Sequence, residues 1–368
     1  MKNAFIAWTP LHIINIMNTV QAFYEDQWND LYVYDEFAGA HDIYKNLKKQ
    51  TFFKHVYLVP YKETGNTLEK GLSMIINRQN MINHETVYDN IFIQGGNYFS
   101  KILYGEVKKK NPSLRLHYIE DGIGAYIDSS VILLDTLPKK AVKMLNRYSM
   151  YHAEVENYYV YEPNLIKIKN NENYLQLPKL TADNPVLPAV RRAFALENEE
   201  GAALKKQILY FDQPFLADGA SINEMELVEV LRSVDSDMEM VVKFHPRSPK
   251  DKYGAVHALE TSLPWELFLL THEMEDVVLL SVTTTSSFTP YLMFDRKMPV
   301  IMLADYYLKK VKKEQGNQPT ITMLENVVNF SHAFKEQTGA EIHMPESLDE
   351  LQTLLKVGEK VRKNHVFN

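Results

Sequence analysis

Leu114-Arg115-Leu116-His117-Tyr118-Ile119-Glu120-Asp121-Gly122 is an apolar run that stops in two acids and a glycine. A run of this length and composition reads as a buried strand, and the acids fall at its carboxyl end. Similar runs precede it at Ala4–Trp8, Asp30–Tyr34, His55–Pro60 and Asn90–Gln94. Between them lie helical patterns over Leu11–Tyr24, His41–Gln50 and Leu68–Gln79, with another over Ser100–Lys110. Strands alternating with helices specify a parallel α/β sheet.

From Asp128 to Ala202 the pattern loosens into Tyr-rich and Asn-rich stretches, Glu156–Tyr161 and Lys169–Asn173 among them, punctuated by Pro178, Pro185 and Pro188. This reads as the end of a first lobe followed by a linker. Alternation resumes at Gln207–Phe211, with a helix over Glu224–Val234, strands over Met238–Phe244, Val277–Ser281 and Pro299–Leu303, and a helix over Trp265–His272. A second short motif, Lys243-Phe244-His245-Pro246-Arg247, ends one of these strands. The expected organisation is a Rossmann-like domain over residues 1–185, a second over 200–347, and a terminal helix within 348–368 crossing back onto the first.

At 368 residues the chain suits roughly two domains of ~150–200 residues. Apolar residues at 45% and charged residues at 24% are ordinary globular values. A net charge of −7 argues against a protein that coats nucleic acid, which needs surplus Lys and Arg to displace counterions. The absence of cysteine removes disulfides, thiolate metal sites and cysteine nucleophiles. The N-terminal run is broken by Thr9-Pro10, and no window approaches the ~18 consecutive apolar residues that cross a bilayer. A soluble, cytoplasmic protein is expected. The cluster Lys309, Lys310, Lys312 and Lys313 reads as a solvated face, or as a peripheral contact with an anionic membrane.

Open α/β sheets bind ligands beyond the carboxyl ends of their strands, where these motifs lie. Asp121 reads as a turn acid beside Gly122 or as a general base, with Glu120 as a neighbouring carboxylate able to raise the pKa of one member of the pair. His245 reads as a loop histidine or as a phosphate contact, since Lys243, Pro246 and Arg247 concentrate cations in a stiff turn. Ser286 and Ser287 suit a helix cap or phosphate oxygens, and Glu266 a helix dipole or ribose hydroxyls. Gly95 and Gly96, with Asn97, would turn backbone N–H groups and a helix start toward a ligand. Asp235-Ser236-Asp237 reads as a polar turn rather than a metal site. Neither a Walker A loop nor a G-x-G-x-x-G, G-x-S-x-G or H-E-x-x-H motif is present.

The ordered set Glu120-Asp121-Gly122, Lys243-Phe244-His245-Pro246-Arg247, Pro264-Trp265-Glu266 and Ser286-Ser287 resembles bacterial sialyltransferases. It is most similar to the lipooligosaccharide and capsule enzymes of glycosyltransferase family 52. The resemblance implies a GT-B architecture, two Rossmann-like lobes facing a cleft. It further implies metal-independent, inverting transfer of sialic acid from CMP-sialic acid to a galactose-type hydroxyl, without a cofactor. Asp121 would then be the base and His245 the contact to the departing CMP phosphate. Ser286 and Ser287 would hold phosphate oxygens, Glu266 the ribose, and Asp212 and Glu224 stand as reserve bases. The same likeness raises the expectation of a homodimer. A UDP-sugar hexosyltransferase, an epimerase on a double-Rossmann scaffold and a non-catalytic carbohydrate-binding or capsule-assembly protein are the rival expectations.

Overall fold

A computed structural model describes residues 1–60, 80–127, 150, 154–166, 173–197, 201–233 and 238–363. The expected helix at Leu68–Gln79, much of the loosened stretch after Asp128 and the Asp235-Ser236-Asp237 turn lie outside the described residues. The chain divides into two compact units, Met1–Glu199 and Glu200–Asn368.

The first unit is built on a seven-stranded sheet: β1 (Lys2–Ala7), β2 (Trp28–Tyr34), β3 (His55–Val59), β4 (Asn90–Ile93), β5 (Arg115–Ile119), β6 (Val155–Val160) and β7 (Asn173–Gln176). The order is β3-β2-β1-β4-β5-β6-β7, with every pairing parallel. Helices must cover both faces of such a sheet, so central strands are apolar throughout. Ala4 to Ala7 and Ile91 to Ile93 are accordingly fully buried. Strand order reverses between β1 and β4, which makes the ends of those strands the topological switch point.

Local chemistry starts the helices there. Thr9 accepts a hydrogen bond from the His12 N–H at 3.2 Å and Pro10 occupies the first turn, so the helix Pro10–Thr19 begins directly after β1. A π-helical turn, Val20–Tyr24, extends it. Asn97 caps the helix Tyr98–Lys110 by accepting from the Ser100 N–H at 2.7 Å.

The Tyr-rich run read as linker is instead β6, a full member of the sheet, with β7 beside it. Tyr158, Tyr159 and Tyr161 are buried, so the aromatic rings that break a simple alternation are core residues here.

The second unit holds a six-stranded sheet of β9 (Gln207–Phe211), β10 (Glu239–Lys243), β11 (His257–Ala258), β13 (Val278–Ser281), β14 (Val300–Met302) and β15 (Ile342–His343). Its order is β11-β10-β9-β13-β14-β15, with its switch point between β9 and β13. A two-stranded sheet joins β8 (Leu204–Lys205) to β12 (Met274–Glu275). The helix Gln318–Thr338, which the sequence reading left unassigned, is capped by Asn317 and stopped by Gly339 at φ 66°. Its Phe330 and Phe334 meet Phe288 edge-on, with ring centroids 4.9 and 5.2 Å away. The amphipathic segment expected over Leu348–Arg362 is the helix Leu348–Lys363, with Leu351 and Leu355 buried.

Gly122 has φ 127°, a region in which a side chain is strained. Gly122→Ala is expected to cost roughly 1–3 kcal/mol, read from the shift in urea unfolding of the first unit. An unchanged midpoint would show that the turn after Asp121 bears no such constraint.

Candidate functional site

In the first unit, β5 delivers Glu120 and Asp121 to the carboxyl edge of the sheet, and the two side chains have different fates. Glu120 is buried: its Oε2 accepts the Tyr161 N–H at 2.8 Å and the Tyr126 hydroxyl. The Glu120 carbonyl accepts from Asn15 Nδ2 at 2.8 Å, tying β5 to the helix after β1. Burial pushes the Glu120 carboxyl up to about 8, against the pull of those hydrogen bonds.

Asp121 keeps an exposed residue surface, yet its carboxylate is walled in. Oδ1 accepts the Tyr118 hydroxyl at 2.6 Å. A Cβ built on Gly95 would lie 3.8 Å from Oδ2 and 3.4 Å from the Trp8 ring. Gly95, at φ 126°, thus brings its backbone against both the acid and the indole. Burial pushes Asp121 up to about 6 even though the Tyr118 bond opposes it. Of the pair, Glu120 is the member whose pKa burial, and then the neighbouring Asp121 charge, raises, whereas Asp121 is raised by burial. Glu120 turns to its own partners, and the enclosing protein does the work.

Three residues that sequence reasoning passed over complete this edge. Trp8 meets His12 edge-on at 4.4 Å, and His12 Nδ1 accepts the Trp8 N–H at 3.4 Å. Burial holds His12 down at about 3, so it is neutral near pH 7. Gln94 donates to the His12 carbonyl at 3.1 Å. The break Trp8-Thr9-Pro10 was the available signal for the first, since a strand ending in Thr-Pro announces a helix start at a ligand-binding edge. Gly96 is exposed in the turn beside Gly95.

In the second unit, Asp212 directly follows β9, and β10 runs into the His245 motif. Asp212 Oδ2 accepts the His245 N–H at 3.0 Å, while Oδ1 accepts Lys252 Nζ at 2.7 Å and the Tyr253 hydroxyl at 2.5 Å. Burial alone would raise Asp212, but these hydrogen bonds, led by Lys252, hold it below its ordinary value. Lys252 also pairs with Glu224, itself buried. Both reserve acids therefore meet the one lysine.

His245 is half-buried, and its Nδ1 accepts the Arg247 N–H at 3.1 Å. With Nδ1 accepting, the neutral ring carries its proton on Nε2. Burial, then the Arg247 charge, lowers its pKa, so the neutral form holds near pH 7. The Arg247 guanidinium pairs with both Asp218 oxygens, at 2.7 and 2.9 Å, instead of standing free. Pro246 is exposed between them. Burial lowers Lys243, partly offset by the Glu266 charge, which brings those two predicted residues together. Burial correspondingly raises Glu266.

Ser286 and Ser287 separate. Ser287 is fully buried, with Oγ 2.7 Å from Ser281 Oγ, so its hydroxyl serves the core. The Ser286 carbonyl accepts Trp265 Nε1–H at 2.9 Å, placing it beside the Glu266 segment. Thr284 caps the 3₁₀ turn Thr285–Ser287 by accepting from the Ser286 N–H at 3.3 Å. Gln213 fixes the same loop through the Thr283 N–H at 3.0 Å.

The basic cluster is largely neutralised: Lys310 pairs with Glu226 at 2.5 Å, Lys312 with Glu325 at 2.7 Å, and Lys309 with Glu346, while Lys313 is exposed. These pairs favour the solvated-face reading over a membrane contact. Among the described residues no helix is long and apolar enough to cross a membrane, and no group of three or more His, Asp or Glu could hold a metal ion.

No protein-family model matches the sequence, and no curated protein matches it. Solved structures do share the fold. The UDP-GlcNAc 2-epimerase of Methanocaldococcus jannaschii matches with TM-score 0.52 and 14% identity over 100% of both chains. The calicheamicin glycosyltransferase CalG4 matches with TM-score 0.51 and 10% identity, covering 99% of this chain and 89% of that one. An α/β-galactoside α-2,3-sialyltransferase from Photobacterium phosphoreum matches with TM-score 0.48 and 9% identity, over 92% and 98%, too loosely to carry an argument. The chain has the GT-B type of α/β fold, with two Rossmann-like parallel-sheet units.

Because the folded Glu120 carboxyl lies at about 8 against a usual 4.5, the folded state binds the extra proton between those values. Stability is thus greatest below the lower value and falls as pH rises through the window. Glu120→Gln is expected to flatten that dependence in denaturant titrations between pH 5 and 8. An unaltered slope would show that Glu120 is ionised in the fold.

Proposed function

We propose that the chain is a glycosyltransferase that uses a nucleotide-sugar donor, and that the donor is CMP-sialic acid. The observation that carries the reading is the Asp121 carboxylate at the end of β5. One oxygen is tied to Tyr118 and the other lies against Gly95 beside Trp8, with the pKa pushed up to about 6. That is a base strong enough to take a proton from a sugar hydroxyl as it attacks, yet still ionised near pH 7.

On the donor side, His245 in its Nε2–H form supplies a neutral hydrogen bond to a phosphate oxygen. Negative charge grows on that oxygen as the glycosidic bond breaks, so the bond strengthens in the transition state. Among the described residues, the cations near this motif are already paired or offset by acids, which suits a donor with little phosphate charge. Arg247 is paired with Asp218, Lys252 with Asp212 and Glu224, and Glu266 offsets Lys243. Glu266 and the Ser286 hydroxyl remain suited to ribose and phosphate oxygens. The acceptor reading, a terminal galactose-type hydroxyl, rests on the motif order. Inversion follows if Asp121 activates the hydroxyl for direct displacement of CMP, with the bond to the anomeric carbon forming as the phosphate bond breaks.

The test is CMP release from CMP-sialic acid by purified protein, with and without lactose. Acceptor-stimulated release that disappears in Asp121→Ala is the expected result. UDP release from a UDP-sugar, with none from CMP-sialic acid, would discard the sialic acid assignment, and activity retained in Asp121→Ala would discard the base. His245→Ala is expected to lower turnover more than ~100-fold, and unchanged turnover would remove its role at the leaving group. In the wild type, kcat/KM is expected to fall as pH drops below about 6, where Asp121 gains its proton. A profile flat down to pH 4.5 would contradict that.

A further inference from the structure

Lys252 belongs to none of the motifs, yet its ammonium joins three residues of this site. Its ammonium meets Asp212 Oδ1 at 2.7 Å, the Gln213 carbonyl at 2.8 Å and the Glu224 carboxylate, and its side chain is only 16% exposed. Asp212 directly follows β9, and Glu224 directly precedes the helix Met225–Ser233. The lysine therefore fastens a strand end to a helix start. The second Asp212 oxygen is left to receive the His245 N–H, and the Asp212 N–H returns to the Lys243 carbonyl at 3.0 Å. His245 is thus gripped through its backbone. Its ring is then oriented by the Arg247 N–H on Nδ1, inside a turn closed by the Ser248 N–H on the His245 carbonyl at 2.9 Å.

We propose that Lys252 is the positioning residue of the His245 motif: through Asp212 it fixes the His245 backbone so that Nδ1 stays on the Arg247 N–H and Nε2–H is free to donate. Asp212 and Glu224 are then the two anchors of that lysine, and neither is a base. The kinetic consequence rests on the proposed transferase, but the ring geometry does not, so the two can fail separately.

Removing Lys252 alone would leave two buried carboxylates without their cation and would risk unfolding the unit. The informative variant is therefore Lys252→Met combined with Glu224→Gln, which removes the lysine and one of the two acids together. The protein is labelled with 15N-histidine, the His245 signal is assigned by its loss in His245→Gln, and long-range 15N–1H spectra report which ring nitrogen is protonated. Wild type is expected to show the Nε2–H form. The double variant, folded by circular dichroism, is expected to show a mixture of tautomers. Lys252→Arg, which keeps a cation between the acids, is expected to restore the wild-type pattern. With CMP-sialic acid and lactose, the double variant should lose roughly 100-fold in kcat with little change in KM, the signature of misplacement by about an ångström. A folded double variant that keeps the Nε2–H form overturns the proposal. Should that variant not fold, Asp212→Asn retains the shape and weakens the same link. A mixture there supports the proposal, and an unchanged Nε2–H signal overturns it. Altered tautomers with no transfer in wild type would leave the positioning role standing and remove only the transferase.

Discussion

The structure depends on carboxyl groups buried at strand ends. A carboxyl group removed from water must find hydrogen-bond partners within the protein, and whatever supplies them is held in place. Glu120 takes the Tyr161 N–H and the Tyr126 hydroxyl, which locks the ends of β5 and β6 together. Asp212 takes Lys252, Tyr253 and the His245 N–H, which locks the ends of β9 and β10. In both units the acid that satisfies these bonds is structural, and the group with free chemistry is its neighbour in sequence or in space.

That division sets the electrostatics. Asp121 has one strong donor, Tyr118, and sits in an enclosure of Trp8 and Gly95, so burial outweighs hydrogen bonding and its basicity rises. Asp212 has many donors, so the balance reverses and it stays ionised. His245 is pressed toward neutrality by burial and by Arg247, while its tautomer is set by a backbone N–H. Burial thus acts in opposite senses on the two groups, making the aspartate more basic and keeping the histidine neutral near pH 7.

Much of the frame was legible. Runs such as His55–Pro60 and Val277–Ser281 are observed as strands within a residue or so, because buried parallel strands carry continuous apolar sequence. β6 was not legible, since adjacent tyrosines hide the period, and β11 and β12 are two residues each. The motif positions at strand ends were legible, since Asp121 and His245 lie two residues beyond the ends of β5 and β10. The partners were not: Lys252 meets Asp212 across 40 residues of sequence, and Trp8 reaches the Asp121 enclosure from the end of β1. Nor could sequence tell Glu120 from Asp121, or Ser286 from Ser287, because adjacent side chains part according to backbone geometry alone.

The most direct measurement is the titration of Asp121 itself, by carboxyl 13C NMR on aspartate-labelled protein with Asp121→Asn to assign the signal. A midpoint near 6, well above the usual 3.8, is expected. A midpoint at the ordinary value would mean that the enclosure does not desolvate the carboxylate, and the case for Asp121 as the base would fall.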